Sequence, residues 1–155
     1  MTDATQRPRT RIPPPLVYAA ALVVSWWLER HFPLGFDVTP LLHTLGWTDV
    51  GLGCALMVWA VLTIWRHRTT VNPFKGASEL VTSGPFAFSR NPIYLADVII
   101  YVGVMLLIGS FWPLVFAPLV WVIMRYAVIA HEEIHLRAKF GTPYHDYSAR
   151  VRRWI

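Results

Sequence analysis

The sequence predicts an all-α, polytopic membrane protein: about four transmembrane helices followed by a cytoplasmic C-terminal amphipathic helix. Three observations predict it. Of 155 residues, 55% are hydrophobic and only 15% charged, whereas soluble domains are nearer one quarter charged. Four apolar stretches each approach the roughly 20 residues that cross a bilayer. The basic residues gather on one side of those stretches. The chain reads as a single domain, 1–155, with a basic N-terminal tail (1–11), two helices (12–65), a cytoplasmic connector (66–92), a helical hairpin (93–131) and C-terminal cytoplasmic helices (132–155).

The first apolar stretch, IPPPLVYAAALVVSWWL (12–28), is short and carries prolines near its start, where a helix tolerates them. It ends in WWLERHFP rather than a small-residue cleavage site, so it reads as an anchor and not a signal peptide. The second runs from about Gly46 to Trp65 and contains the only cysteine, Cys54. One cysteine provides neither a disulfide framework nor a thiolate cluster, and its default role is a small buried side chain. The third, IYLADVIIYVGVMLLIGS, follows Pro92, and the fourth, FWPLVFAPLVWVIM, ends at Arg125. Only Gly109-Ser110-Phe111-Trp112-Pro113 separates them, which makes a tight antiparallel hairpin. Pro113 and Pro118 are expected to kink the fourth helix, which a membrane helix accepts when neighbours satisfy the freed backbone groups.

Charge tests this topology independently of hydropathy. Arg7, Arg9 and Arg11 precede the first stretch, and Arg66, Arg68, Lys75 and Arg90 lie between the second and third. Arg125, Arg137, Lys139, Arg150, Arg152 and Arg153 follow the fourth. These are 13 of the 14 basic residues. Only Arg30 lies in the first loop, against Glu29, Asp37 and Asp49. By the positive-inside rule both termini and the 66–92 connector are cytoplasmic, in an inner, cytoplasmic membrane. The net charge of +5 then suits an anionic leaflet rather than nucleic acid.

The hairpin brings two polar blocks, 79–97 and 130–155, to one membrane face. In the first, Pro92 opens a helix with Asn91 as its N-cap, and Asn91, Tyr94, Asp97 and Tyr101 recur as one polar stripe. Asp97 lies about 9 Å up the helix from Asn91 at about 1.5 Å per residue. A carboxylate at that depth calls for a polar interior or cavity. In the second block the fourth helix continues past the membrane as IAHEEIHLRAKF and stops at Gly141. There Arg125 and Glu132, at i and i+7, share a face in a regular helix. Thr142-Pro143 then restarts a helix with Tyr144, Tyr147, Val151 and Trp154 on one face, as an interfacial helix or a lid would have.

His131-Glu132-Glu133-Ile134-His135 matches the H-E-x-x-H pattern of zinc peptidases. Catalytic zinc needs a third protein ligand, and Ala138 and Gly141 stand where the extended pattern places Gly and His. No metal is therefore assigned, and an intramembrane zinc hydrolase using His131, Glu132 and His135 stands only as an alternative, beside a non-catalytic membrane partner protein.

LVTSGPF (80–86), RNPIY (90–94), Glu132-Glu133, Leu136, Phe140-Gly141, and Tyr144 and Tyr147 before VRRWI follow one another around the hairpin. In that order they resemble the integral-membrane methyltransferases that include isoprenylcysteine carboxyl methyltransferase and phosphatidylethanolamine N-methyltransferase, over about residues 69–155. The resemblance implies S-adenosylmethionine as cofactor. By position it implies contacts from Ser78, Glu79, Leu80, Val81 and Phe86, from Asn91, Pro92, Ile93 and Tyr94, and from Glu132. Glu132 would accept hydrogen bonds from adenosine hydroxyls or pair with the cofactor's ammonium, and aromatic rings would hold its sulfonium. Asp97 is the candidate base for an amine acceptor. Arg125 would orient a carboxylate acceptor, with Tyr101 also at the acceptor. The chain has Asn91 and Val128 where eukaryotic isoprenylcysteine enzymes carry His and Arg. The expected partners are the bilayer and a lipophilic or small methyl acceptor: a carboxylate, an amine or a thiol.

Overall fold

The computed structural model describes residues 13–67 and 78–155. The basic tail, Arg68 and Lys75 lie outside the described residues. Within these, the chain is helical: α1 (Pro14–His31), α2 (Pro40–Arg66), a short 3-10 turn (Gly84–Ala87), α3 (Pro92–Ile108), α4 (Trp112–Ile123), a π-helical segment (Met124–Ile129), α5 (Ala130–Phe140) and α6 (Thr142–Arg150). Among the described residues the only β pairing is an isolated bridge between Gly35 and Ser110.

Proline opens the first turn of all these α-helices except α5, where its missing N–H has no intrahelical partner to lose. α2 begins at Pro40 rather than near Gly46, because Thr39 caps it by accepting a hydrogen bond from the Leu42 amide at 3.3 Å. α4, the π segment and α5 form one unbroken rod, Trp112–Phe140. This rod and α2 are long and apolar enough to cross a membrane. Only 28% and 17% of their apolar windows, respectively, are buried inside the protein. Such outward apolar faces belong to lipid rather than to the interior of a soluble domain. α3 is apolar but has only 17 residues.

α2 and α3 pack antiparallel along small residues. Gly46 meets Gly103, and Gly53 meets Ala96, with backbone oxygens about where a side chain would begin. Ala60, seven residues beyond Gly53, is fully buried on the same stripe. Without a hydrophobic drive between helices in lipid, such close backbone approach is what holds them. Cys54 is exposed, not buried as expected, because it lies one residue and about 100° from that stripe.

At one end of the bundle the α1–α2 loop closes on the α3–α4 turn. Phe36 donates its amide to Gly109 O, Phe111 donates to Leu34 O, and Ser110 Oγ donates to Glu29 at 2.6 Å. Gly109 adopts the left-handed conformation (φ 64°) that ends α3, as glycine readily does. This tie fixes one end of the bundle, and the polar blocks assemble at the other.

Candidate functional site

The polar stripe of α3 is buried as a unit, and each member except Asp97 meets a partner. Asn91 caps α3 by position, but its side chain does not cap; Nδ2 donates to Arg153 O at 2.9 Å. Tyr94 donates its hydroxyl to Glu132 Oε2 at 2.8 Å, joining α3 to α5. Tyr101 donates to Pro113 O at 2.8 Å, joining α3 to α4. Asp97 is buried with Oδ2 lacking a hydrogen-bond partner, within electrostatic reach of Tyr18 and Tyr94.

Two cavities flank this stripe. The first, a cleft of about 90 Å³, is walled by Glu79, Leu80, Val81 and Phe86 from the segment before α3, and by Arg90 and Asn91. Glu132, Glu133 and Leu136 of α5, Tyr144 and Tyr147 of α6, and Ile64 of α2 complete it. Of the residues expected to hold the cofactor, Glu79, Leu80, Val81, Phe86, Asn91 and Glu132 line the cleft, and Tyr94 reaches it through Glu132. Ser78, Pro92 and Ile93 do not line it.

The consecutive acids do different work. Glu132 meets Tyr94, whereas the buried Glu133 accepts two hydrogen bonds from Arg153, at 2.8 and 2.7 Å, and lies 3.5 Å from Arg90. The hydrogen bonds to Glu133 raise the Arg153 pKa further above its already high value. Arg90 Nε is buried without a partner. Beside it, burial raises the pKa of Tyr144 and Tyr147, so both keep their protons, and Tyr147 donates to Phe86 O at 2.8 Å. Glu79 is braced from behind by His67 at the end of α2: Nδ1 is 2.9 Å from Glu79, and Nε2 is 2.9 Å from Ser83 Oγ.

The second cavity, of about 520 Å³, is apolar and runs between α1, α3 and α4. Tyr18, Tyr101, Val120 and Met124 line it, with Trp154 and Ile155 of the tail. Arg125 lines neither cavity; its guanidinium lies over Tyr126, 5.6 Å from the ring centre. The expected shared face of Arg125 and Glu132 is overturned by the π segment that starts at Met124. A π turn holds one residue more than an α turn, so the residues beyond it are rotated by about one residue's angle, roughly 100°.

Two further expectations change. α6 ends at Arg150, so Val151 and Trp154 lie beyond the helix that carries Tyr144 and Tyr147. Those tyrosines are buried in the protein, against the cleft. His131 Nδ1 and His135 Nε2 are buried and unpartnered. Among the described residues no three His, Cys, Asp or Glu side chains are placed to share a metal ion.

Arg90, Glu133, Leu136, Tyr144 and Tyr147 belong to the sequence motifs but not to the expected cofactor contacts, and His67 and Ile64 belong to no motif. For the first five the signal was their place in the motifs. For His67 it was a basic residue at a helix end, which sequence alone does not connect to Glu79.

A cleft edged by carboxylates, a half-buried arginine and aromatic rings lies next to an apolar cavity in a helical chain with two helices long and apolar enough to cross a membrane, the combination expected of a membrane enzyme. The chain belongs to the phospholipid methyltransferase family, whose description it matches over residues 41–143. Its relatives include the cobalt-zinc-cadmium resistance protein CzcN of Cupriavidus metallidurans, 29% identical over 117 residues, covering 76% of this chain and 50% of that protein. The nickel-cobalt-cadmium resistance protein NccN of Alcaligenes xylosoxydans xylosoxydans is 27% identical over 74% of this chain and 49% of its own length. Protein-S-isoprenylcysteine O-methyltransferase B of Arabidopsis thaliana is 27% identical over 88% of this chain and 63% of its own. The chain thus spans about half to three fifths of the curated relatives it matches.

Proposed function

We propose that the protein is an S-adenosylmethionine-dependent methyltransferase that methylates a lipophilic acceptor at the cytoplasmic face of an inner membrane. In this reading α1 to α4 all cross the bilayer and both termini are cytoplasmic. The observation that carries it is the Tyr94–Glu132 hydrogen bond, which sets a carboxylate on the wall of the cleft while the same helix, α3, lines the apolar cavity.

The donor set fits the cofactor. Glu132 and Glu79 accept from hydroxyls or ammonium, Arg90 with its unpartnered Nε faces a carboxylate, and Phe86, Tyr144 and Tyr147 offer ring faces to a sulfonium. The cleft is open on one side, and its volume of about 90 Å³ is below the roughly 300 Å³ of a small-molecule site. In this reading the cleft widens on binding, and α6, attached at Gly141 and packed through two tyrosines, is the wall proposed to yield.

When bound, S-adenosylmethionine supplies an electrophilic methyl group on a positively charged sulfur. The protein's part is alignment and water exclusion. The apolar cavity aligns the acceptor's chain, with Tyr101 on its wall. Asp97, which lines neither cavity but lies within electrostatic reach of Tyr94 and Tyr18, is the candidate to take the proton that an amine or thiol loses. Arg125, turned toward Tyr126, is not placed to orient a carboxylate there. Metal handling, the property in the names of the bacterial relatives, has no ligand cluster behind it among the described residues.

The test is calorimetric titration of the detergent-solubilised protein with S-adenosylhomocysteine, together with incubation of membranes with methyl-labelled cofactor and extracted lipid. Saturable binding that Glu132→Ala abolishes, and label entering a lipid, are expected. No binding in either detergent or lipid discs would refute the reading.

A further inference from the structure

The C-terminal tail lines the apolar cavity through Trp154 and Ile155, and the residues just before them are bonded to side chains and backbone at the edge of the cleft. Arg152 O accepts from the Arg90 amide at 3.0 Å. Arg153 O accepts from Asn91 Nδ2 at 2.9 Å and Ser89 Oγ at 3.2 Å, and the Arg153 guanidinium is held by both oxygens of Glu133. Five hydrogen bonds thus pin two residues to elements that line the cleft. The next residue, Trp154, enters the apolar cavity and packs against the cluster of Tyr18, Tyr94, Tyr101 and Met124. One peptide unit past such an anchor, the indole has little freedom to swing away.

Position gives this contact a consequence. The cavity follows α3 from Leu95 to Met105, roughly 15 Å at about 1.5 Å per residue. Trp154 stands at its Leu95 end, nearest Tyr94 and Glu132. An acceptor lying along the cavity, with its reactive head toward the cleft, must therefore pass the indole just below the head.

Resting on the methyltransferase reading above, we propose that Trp154 is a width gauge that admits acceptors with a single unbranched chain below the head group, and that Glu133 is its positioning residue, acting through Arg153. A two-chain lipid, or one branched beside its head, meets the indole. The substrate class is then single-chain amphiphiles.

Two isomers of equal carbon count test this: palmitic acid, and 2-hexyldecanoic acid, which branches next to the carboxyl. Each displaces dansyl-labelled undecanoic acid from the full chain in lipid discs, with empty discs correcting for partition. The wild type is expected to prefer palmitic acid at least tenfold. Trp154→Ala brings the ratio toward one, Trp154→Phe falls between, and Glu133→Gln lowers the ratio, with Glu133→Asp restoring part of it. S-adenosylhomocysteine binding by Trp154→Ala serves as the check that the fold persists. Equal ratios in wild type, Trp154→Ala and Trp154→Phe overturn the proposal, as does a wild type that binds neither acid or does not discriminate. A wild type that discriminates through Trp154 but binds no S-adenosylhomocysteine refutes the methyltransferase reading and leaves the width gauge standing.

Discussion

Replacing Gly103 by alanine should loosen the α2–α3 seam, while replacing Gly51 by alanine should not. A Cβ at Gly103 would lie 2.7 Å from Gly46 O and 2.9 Å from Val50 N, both backbone atoms; at Gly51 nothing lies within 4 Å. Reaching ordinary contact at 3.4 Å requires the two helices to part by about 0.7 Å. A gap of that size forfeits roughly a quarter to a half of the dispersion energy of the contacts it opens, and overpacking of this kind costs about 1–3 kcal/mol. Both substitutions gain the same ~0.8–1 kcal/mol of helix propensity, so their difference isolates the steric cost. For a chain of this size it corresponds to roughly 2–12 °C between the two variants' midpoints. Thermal unfolding followed by tryptophan fluorescence in detergent measures it. Equal midpoints for Gly103→Ala and Gly51→Ala would mean that the helices are not in backbone contact, and the packing argument would be wrong.

Other consequences follow from the site. Tyr94→Phe removes a hydrogen bond to a carboxylate, worth about 1.5–3 kcal/mol, and should weaken S-adenosylhomocysteine binding about 10- to 150-fold by calorimetry. Asp97→Asn should lower turnover of an amine or thiol acceptor at least tenfold with cofactor affinity kept; equal losses in both would remove Asp97 as the base. Glu133→Gln leaves Arg153 and Arg90 without their carboxylate and should destabilise the fold by about 3 kcal/mol, the low end for a broken buried pair because Arg153 is 25% exposed. A double-mutant cycle with Arg153→Gln should return a coupling of the same sign. Cofactor binding should raise hydrogen exchange in α6 relative to α5, and unchanged exchange would mean that the cleft opens elsewhere.

Much of this was legible in the sequence because lipid imposes simple rules. The apolar stretches, the proline starts and the Gly109 turn located the helices. Polar letters hid the first turn of α2: His43 and Thr44 lowered the local hydropathy, although Thr39-Pro40 is a cap followed by proline. The aromatic face of α6 was visible, but periodicity cannot tell whether such a face meets lipid or protein. Here Tyr144 and Tyr147 turn inward because polar partners await their hydroxyls: Tyr144 accepts from Arg90 of the Arg90–Glu133–Arg153 cluster at 3.4 Å, and Tyr147 donates to Phe86 O. That cluster pairs residues 20 and 43 positions apart along the chain, and no local pattern reports such a pairing.

The letters HEEIH show how a motif can be right for another reason. On a regular helix, adjacent residues point about 100° apart, so Glu132 and Glu133 cannot serve one ligand equally. α5 lies between α3 and the tail, and each acid takes one neighbour: Tyr94 receives Glu132, and Arg153 receives Glu133. The π segment sets this register. With an α-helical turn in its place, α5 would rotate by about one residue, and Glu132 would leave Tyr94. Both acids line the cleft, and Glu133 also holds, through Arg153, the tail whose Trp154 lines the apolar cavity, so both cavities depend on a single turn of α5.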